Sequence, residues 1–167
     1  MRAALVSLVA LFLAAPALAQ PEPTPVWRMD LSHLEADVAL IQSCLVGGGR
    51  GDCAGVVQEA CGRGVADEIA TTTAHVRRCG WRGIAAWEDE LARARTTLRG
   101  FLSNDEMERE ASAQAAWEAF MLANVRFQVQ RFEGGSLSPV LAGEVRVRML
   151  AARTLEVQDL AAERAQD

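Results

Sequence analysis

The chain is predicted to be all-α: a small bundle of about five helices, built as two antiparallel helical hairpins, with a disulfide-stapled N-terminal half. Three observations predict this. Apolar residues recur at helical spacing in successive segments, and no stretch alternates convincingly as a strand does. Two capping boxes, Ser32-His33-Leu34-Glu35 and Ser103-Asn104-Asp105-Glu106, mark helix starts. Four cysteines, Cys44, Cys53, Cys61 and Cys79, fall within one segment.

The N-terminus precedes the bundle. Met1-Arg2 is a short positive region, Ala3 to Ala15 is apolar apart from Ser7, and Ala17-Leu18-Ala19 has the small-x-small form of a cleavage site. Residues 1–19 therefore read as a signal peptide, too short to span a bilayer, which takes about 20 apolar residues. The mature chain would begin at Gln20 and be periplasmic or secreted. No cysteine stands directly after the cleavage site, so no stable membrane anchor is expected. Residues 20–30 open with Gln-Pro-Glu-Pro-Thr-Pro, a stiff leader rather than core. Residues 31–165 form a single helical domain, divided into a cysteine-bearing half (31–99) and a C-terminal hairpin (103–165).

The first helix starts at the Ser32 box, buries Leu34, Val38, Ile41 and Leu45, and stops at Gly47-Gly48-Gly49. Asp52 is expected to cap a short second helix carrying Cys53, Val56, Val57, Ala60 and Cys61, ending near Gly62 and Gly64. Residues 62–70 read as a loop. Thr71-Thr72-Thr73 offers caps for a long third helix with Val76, Ile84, Trp87, Leu91, Ala94, Leu98 and Phe101 on its apolar face. Gly80 and Gly83 weaken its early turns by about 1 kcal/mol each. The fourth helix starts at Ser103, with Asp105, Glu106 and Glu108 at the positive end of its dipole. Its expected core stripe is Ala113, Trp117, Phe120 and Phe127. Gly134-Gly135 stops it, Ser138-Pro139 starts the fifth helix, and Leu141, Val145, Leu150 and Val157 continue the core to about Ala161.

An even cysteine count in an exported chain reads as two disulfides. The gaps of 9, 8 and 18 positions lack the closely spaced pairs of structural zinc sites. Pairing 44–53 with 61–79 is preferred because each bridge would tie adjacent helix ends, and 53–79 stays open.

All 17 basic residues are arginine, and the formal charge of −5 becomes −6 once Arg2 leaves with the signal. An acidic chain without a basic stripe argues against nucleic acid as a partner. No nucleophile elbow, phosphate loop, HExxH or calcium loop is present, and the only histidines are His33 and His75. The four tryptophans, Trp27, Trp81, Trp87 and Trp117, read as core before they read as a sugar platform. The expectation is a binding protein, not an enzyme, with no metal and no cofactor.

One set of residues points to a family. Trp117-x-x-Phe120, Val125, Phe132-Glu133-Gly134-Gly135-Ser136, Val145 and Arg153-Thr154, together with Cys44, Asp52-Cys53-x-Gly55, Cys61, Cys79 and Trp87 upstream, resemble the LprI-like lysozyme inhibitors of the bacterial envelope. The resemblance spans roughly residues 40–160. It implies a protein partner, a lysozyme-type muramidase whose cleft is blocked, with Glu133, Gly134, Gly135 and Ser136 as the contacting tip. Two departures stand out. Met121-Leu122 occupy positions where the family usually has Arg-Asp, and Val125 and Val145 replace its usual cysteine pair, which suits a buried contact between the fourth and fifth helices. The alternative function is an interaction module that scaffolds or regulates an endogenous cell-wall hydrolase. A small envelope stress protein without a discrete ligand is the third.

Overall fold

The computed structural model describes residues 31–166; the expected signal peptide and leader, and Trp27, lie outside the described residues. Among the described residues the chain forms six α-helices joined by turns, with no strand. They are α1 (Leu34–Val46), α2 (Val56–Gly62), α3 (Asp67–Ala70), α4 (Thr73–Arg99), α5 (Asn104–Val129) and α6 (Ser138–Arg164). The sixth, α3, is one turn long and sits in the segment expected to be a loop.

The ends of these helices follow local chemistry, with small departures from expectation. A 3-10 turn, Leu31–His33, precedes α1, so His33 rather than Ser32 stands at the N-cap, and it makes no side-chain cap bond. Gly47 ends α1, and Gly48 turns the chain with φ of 88°, a left-handed value that favours glycine. Asp52 caps nothing at the start of α2, because a 3-10 turn, Arg50–Gly55, leads the chain in and Gly55 is the N-cap. Thr72 caps α4 by accepting from the His75 amide. The Ser103 box forms as expected: the Ser103 hydroxyl accepts from the Glu106 amide, and the Glu106 carboxylate accepts from the Ser103 amide.

α4 is the hub. It packs along α6 and carries α1 and α2 on its other sides, while α5 packs against α6. Side-chain bonds give the directions. Arg82 reaches Asp37 and Gln42 reaches Glu90, so α1 runs parallel to α4. Trp87 Nε1 donates to the Ala54 carbonyl at 3.1 Å and Cys61 bridges to Cys79, so α2 runs antiparallel. Arg153 bonds Gln114 and Asn124 bonds Met149, which makes α5 and α6 an antiparallel hairpin.

Both disulfides take the preferred pairing, Cys44–Cys53 and Cys61–Cys79, with Cα separations of 5.8 and 5.6 Å. The first ties α1 to the turn before α2, and the second ties the end of α2 to α4.

The core contains Val38, Ile41, Val57, Ile84, Trp87, Leu91, Leu98, Leu150 and Val157. Two buried carboxylates lock the helices laterally. Asp37 accepts twice from the Arg82 guanidinium, at 2.8 and 2.5 Å. Glu90 accepts from the Gln42 and Gln158 amides, at 2.9 and 3.0 Å, and so joins α1, α4 and α6. A buried charge is tolerated only when its lone pairs are met in this way.

Gly80 and Gly83 do not kink α4, which is continuous. A side chain on Gly83 would collide with the Gln58 amide, whose nearest atom lies 2.7 Å from an ideal Cβ. At Gly80 the backbone comes close to α6, 4.0 Å from an ideal Cβ on Gly143. Helix propensity is given up at Gly83 because no room is left for a side chain, whereas a Cβ on Gly80 would meet nothing within 4 Å.

The apolar face of α5 is the main correction. Ala113, Phe120 and Phe127 of the expected stripe are exposed, the two phenylalanines by 61% and 76%. Gln114 and Met121 are buried instead, and Trp117 and Val125 are half-buried against the core. Val76 on α4, and Phe101 just past its end, are likewise exposed. Trp81 is 37% exposed, whereas Trp87 is fully buried.

Candidate partner-binding site

The residues singled out by the family resemblance divide into scaffold and surface. Trp117 stacks under the Arg153 guanidinium, 5.9 Å from its ring centre, and Arg153 also bonds Gln114. Thr154 is fully buried, and its hydroxyl donates to the Leu150 carbonyl at 2.8 Å. Val145 is buried and Val125 half-buried. These residues hold α6 to α5. Phe120, Asp52 and the turn face solvent.

The turn is built in three steps. A 3-10 turn, Gln130–Phe132, tightens the end of α5, and Glu133 N–H donates back to the Gln130 carbonyl at 3.2 Å. Gly134 then takes φ of 78°, the left-handed stop that glycine supplies. Gly135 N–H donates to the Phe132 carbonyl at 3.0 Å, and Ser138 N–H donates to the Gly135 carbonyl at 3.2 Å. α6 starts at Ser138 itself, so Leu137 is the N-cap and Pro139 lies one position deeper than expected. Proline remains harmless there, since the first-turn amides have no helical acceptor.

Glu133, Gly134, Gly135 and Ser136 are all exposed and together form the tip of the hairpin. Its polar inventory is specific. The Gly135 amide is used internally and is not available to a partner. The Gly134 and Ser136 amides make no backbone hydrogen bond among the described residues. These two N–H groups, the Ser136 hydroxyl and the Glu133 carboxylate are the groups the tip can offer a partner.

Around the tip lie apolar groups that sequence periodicity assigned to the core or left unassigned. Phe127 lines a shallow hollow with Gln128, Gln130 and Arg131. Arg131 sits over the Phe132 ring at 5.0 Å, and Leu137 is 48% exposed. Exposed aromatic side chains beside arginine are the composition of interface anchors. The available signal was that Phe127 lines up with Phe120 along α5, about a third of a turn round the helix from Met121.

Met121 is buried between α5, α4 and α6, in a groove it shares with Glu88, Trp117, Arg146 and Leu150. Leu122 beside it is partly exposed. Where the resemblance leads one to expect Arg-Asp, this chain therefore has one core and one surface apolar residue.

Among the described residues one group has metal-ligand chemistry: Cys61, His75 and Cys79. Its two sulfurs are joined to each other in a disulfide, with His75 Nε2 3.3 Å from Cys79 Sγ. A disulfide sulfur has no thiolate to give a metal.

Among the described residues no helix is long and apolar enough to cross a membrane. No curated protein and no solved structure matches the chain. A family model described as lysozyme inhibitor LprI matches residues 66–157, from just before α3 into the last turns of α6. That span contains the turn, Trp117, Arg153 and Thr154, and it leaves Cys44, Cys53 and Cys61 outside. Covering more than half of the 167 residues, the match places the chain in the LprI lysozyme-inhibitor family.

Proposed function

We propose that this protein is exported to the periplasm or beyond, through cleavage of residues 1–19, and there binds and blocks a lysozyme-type muramidase. The supporting observation is the tip itself: within the family-matching span, the EGGS turn is exposed and offers unused donors, while most other matching residues hold the hairpin together. A plain helix connector needs one glycine and a cap, and this one carries more.

The chemistry suits the target. Muramidases work with two carboxylates in a groove. The Gly134 and Ser136 amides and the Ser136 hydroxyl donate to such carboxylates, and the small side chains let the backbone enter. Glu133 pairs with an arginine or lysine on the groove rim, and Phe127 and Leu137 cover apolar surface beside it. The acidic net charge steers the protein towards a cationic enzyme.

The test is enzyme inhibition. Purified protein is titrated into a cell-wall lysis assay with a cationic lysozyme, and stoichiometric loss of activity is expected. Met121-Leu122 in place of Arg-Asp favours a second reading, a module that holds a cell-wall hydrolase without inhibiting it. Binding with undiminished lysis would decide for that reading.

A further inference from the structure

The Cys61–Cys79 bridge has a third group beside it. Cys61 stands in the last turn of α2, while His75 and Cys79 lie four positions apart on α4 and so share a face of that helix. The two sulfurs and a ring nitrogen of His75 all lie within 4.8 Å of one another. His75 Nε2 is 3.3 Å from Cys79 Sγ. The Cys44–Cys53 bridge belongs to no such group among the described residues.

Other contacts hold these residues together when the S–S bond is open. Trp87 Nε1 donates to the Ala54 carbonyl, Val57 is wholly buried, and the Gln58 amide lies against Gly83, so α2 stays seated on α4. The Cα atoms of Cys61 and Cys79 are 5.6 Å apart. Two thiolates on such a base can share one ion, whose tetrahedral ligands sit about 3.8 Å apart at a Zn–S distance of about 2.3 Å. His75 and Cys79 also line a cleft of about 440 Å³ between α2, α4 and α6. That cleft gives a small reductant and an ion a way in and leaves a fourth coordination position to water.

We propose that the reduced chain binds one Zn²⁺ through the Cys61 and Cys79 thiolates and His75 Nε2, so that the metal replaces the disulfide as the tie between α2 and α4. A dithiol supplies the electrons. One of its sulfurs attacks Cys61 Sγ, the Cys61–Cys79 bond breaks, and Cys79 leaves as a thiolate beside His75. The second sulfur of the dithiol then displaces Cys61 and closes the reductant's own disulfide, so two electrons and two protons pass to the protein. Zn²⁺ takes the place of those two protons, which are released as the thiolates bind it. Two sulfurs and an imidazole select zinc over magnesium or calcium, which prefer oxygen. The proposal is independent of muramidase binding, because none of the three residues belongs to the exposed tip.

Cobalt(II), a spectroscopic stand-in for zinc, tests it. Protein reduced with a water-soluble trialkylphosphine and kept free of oxygen is titrated with Co²⁺. Tetrahedral d–d bands and a thiolate charge-transfer band are expected to saturate at one ion per chain, and Zn²⁺ should displace them. His75→Ala keeps the backbone amide that Thr72 caps. It should weaken binding at least about tenfold, since even an outer-shell partner of a metal ligand is worth 10–100-fold. Cys44→Ser with Cys53→Ser should leave the affinity unchanged, and if that variant misfolds the His75→Ala comparison decides alone. Zn²⁺ should also raise the melting temperature of the reduced protein and leave that of the oxidised protein where it was. Absence of the cobalt bands overturns the proposal, as does equal affinity in His75→Ala or an equal rise with Mg²⁺. A reduced chain that unfolds and that Zn²⁺ does not refold overturns it too.

Discussion

Glu106 shows how one carboxylate can do two jobs. It closes the capping box at the start of α5 and pairs with Arg164 of α6 at 3.1 Å. The Ser103 amide is the main reason its pKa falls from 4.5 to about 2, with the Ser103 hydroxyl and Arg164 adding to the effect. Glu110 is also held below the usual range, first by the Arg95 guanidinium, with Arg99 adding. A depressed folded-state pKa contributes stability that is complete above the unfolded value and is lost as pH falls towards the folded value. The melting temperature should therefore fall as pH drops from 4.5 towards 2, and Glu106→Gln should flatten that fall. Ser103→Ala removes a cap worth about 1 kcal/mol, which thermal melting at neutral pH should register as a loss of roughly 4 °C. The two glycines of α4 should behave differently. Gly80→Ala meets open space and should stabilise by up to about 1 kcal/mol in denaturant unfolding. Gly83→Ala must displace the Gln58 amide and should gain nothing or lose stability. The caps at Thr72 and Ser103 and the glycine at 134 were readable because each has a local cause. The role of Gly83 was not, because the Gln58 amide it accommodates is far away in sequence.

Among the elements, α5 is the one whose face was misassigned, and the reason is visible in its composition. Ala113, Phe120 and Phe127 form one stripe and Trp117, Met121 and Val125 a second, about a quarter turn round the helix, and both satisfy a helical period. Only the packing of α6 selects the second set. A different cause hid α3, whose four residues are too few to carry a periodic signal. The α5–α6 pairing itself was legible, and its register is testable. Arg153–Gln114 and Asn124–Met149 place Val125 and Val145 at a common level of the hairpin. The double substitution Val125→Cys, Val145→Cys should then form a crosslink under oxidising conditions, seen as loss of free thiol. A persistently reduced pair would show the register to be wrong. The disulfide pairing also followed from the order of helix ends. Removing Cys61–Cys79, which closes the wider loop of 18 positions, should cost about 3 kcal/mol in denaturant unfolding.

At the scale of the whole molecule, one long helix, α4, organises everything else, and the α5–α6 hairpin ends in a tip that the core does not need. Family and fold class were legible because they rest on spacing and on a recognisable turn. The apolar surround of the tip was not, since Phe127 obeys the same period as a core residue and only its neighbours reveal it as surface. The central claim is that the tip makes the contact with a muramidase. Ser136→Trp tests this most directly, because Ser136 is exposed and the Gly135 position is already tight, 3.2 Å from an ideal Cβ to the Phe132 carbonyl. Affinity of wild type and variant for a cationic lysozyme is compared by surface-based binding kinetics, with matched circular dichroism as the control. Loss of a central contact is worth about 2 kcal/mol or more, so the variant should bind about 30-fold more weakly. Equal affinity of the two proteins would contradict the account and leave the turn as a connector.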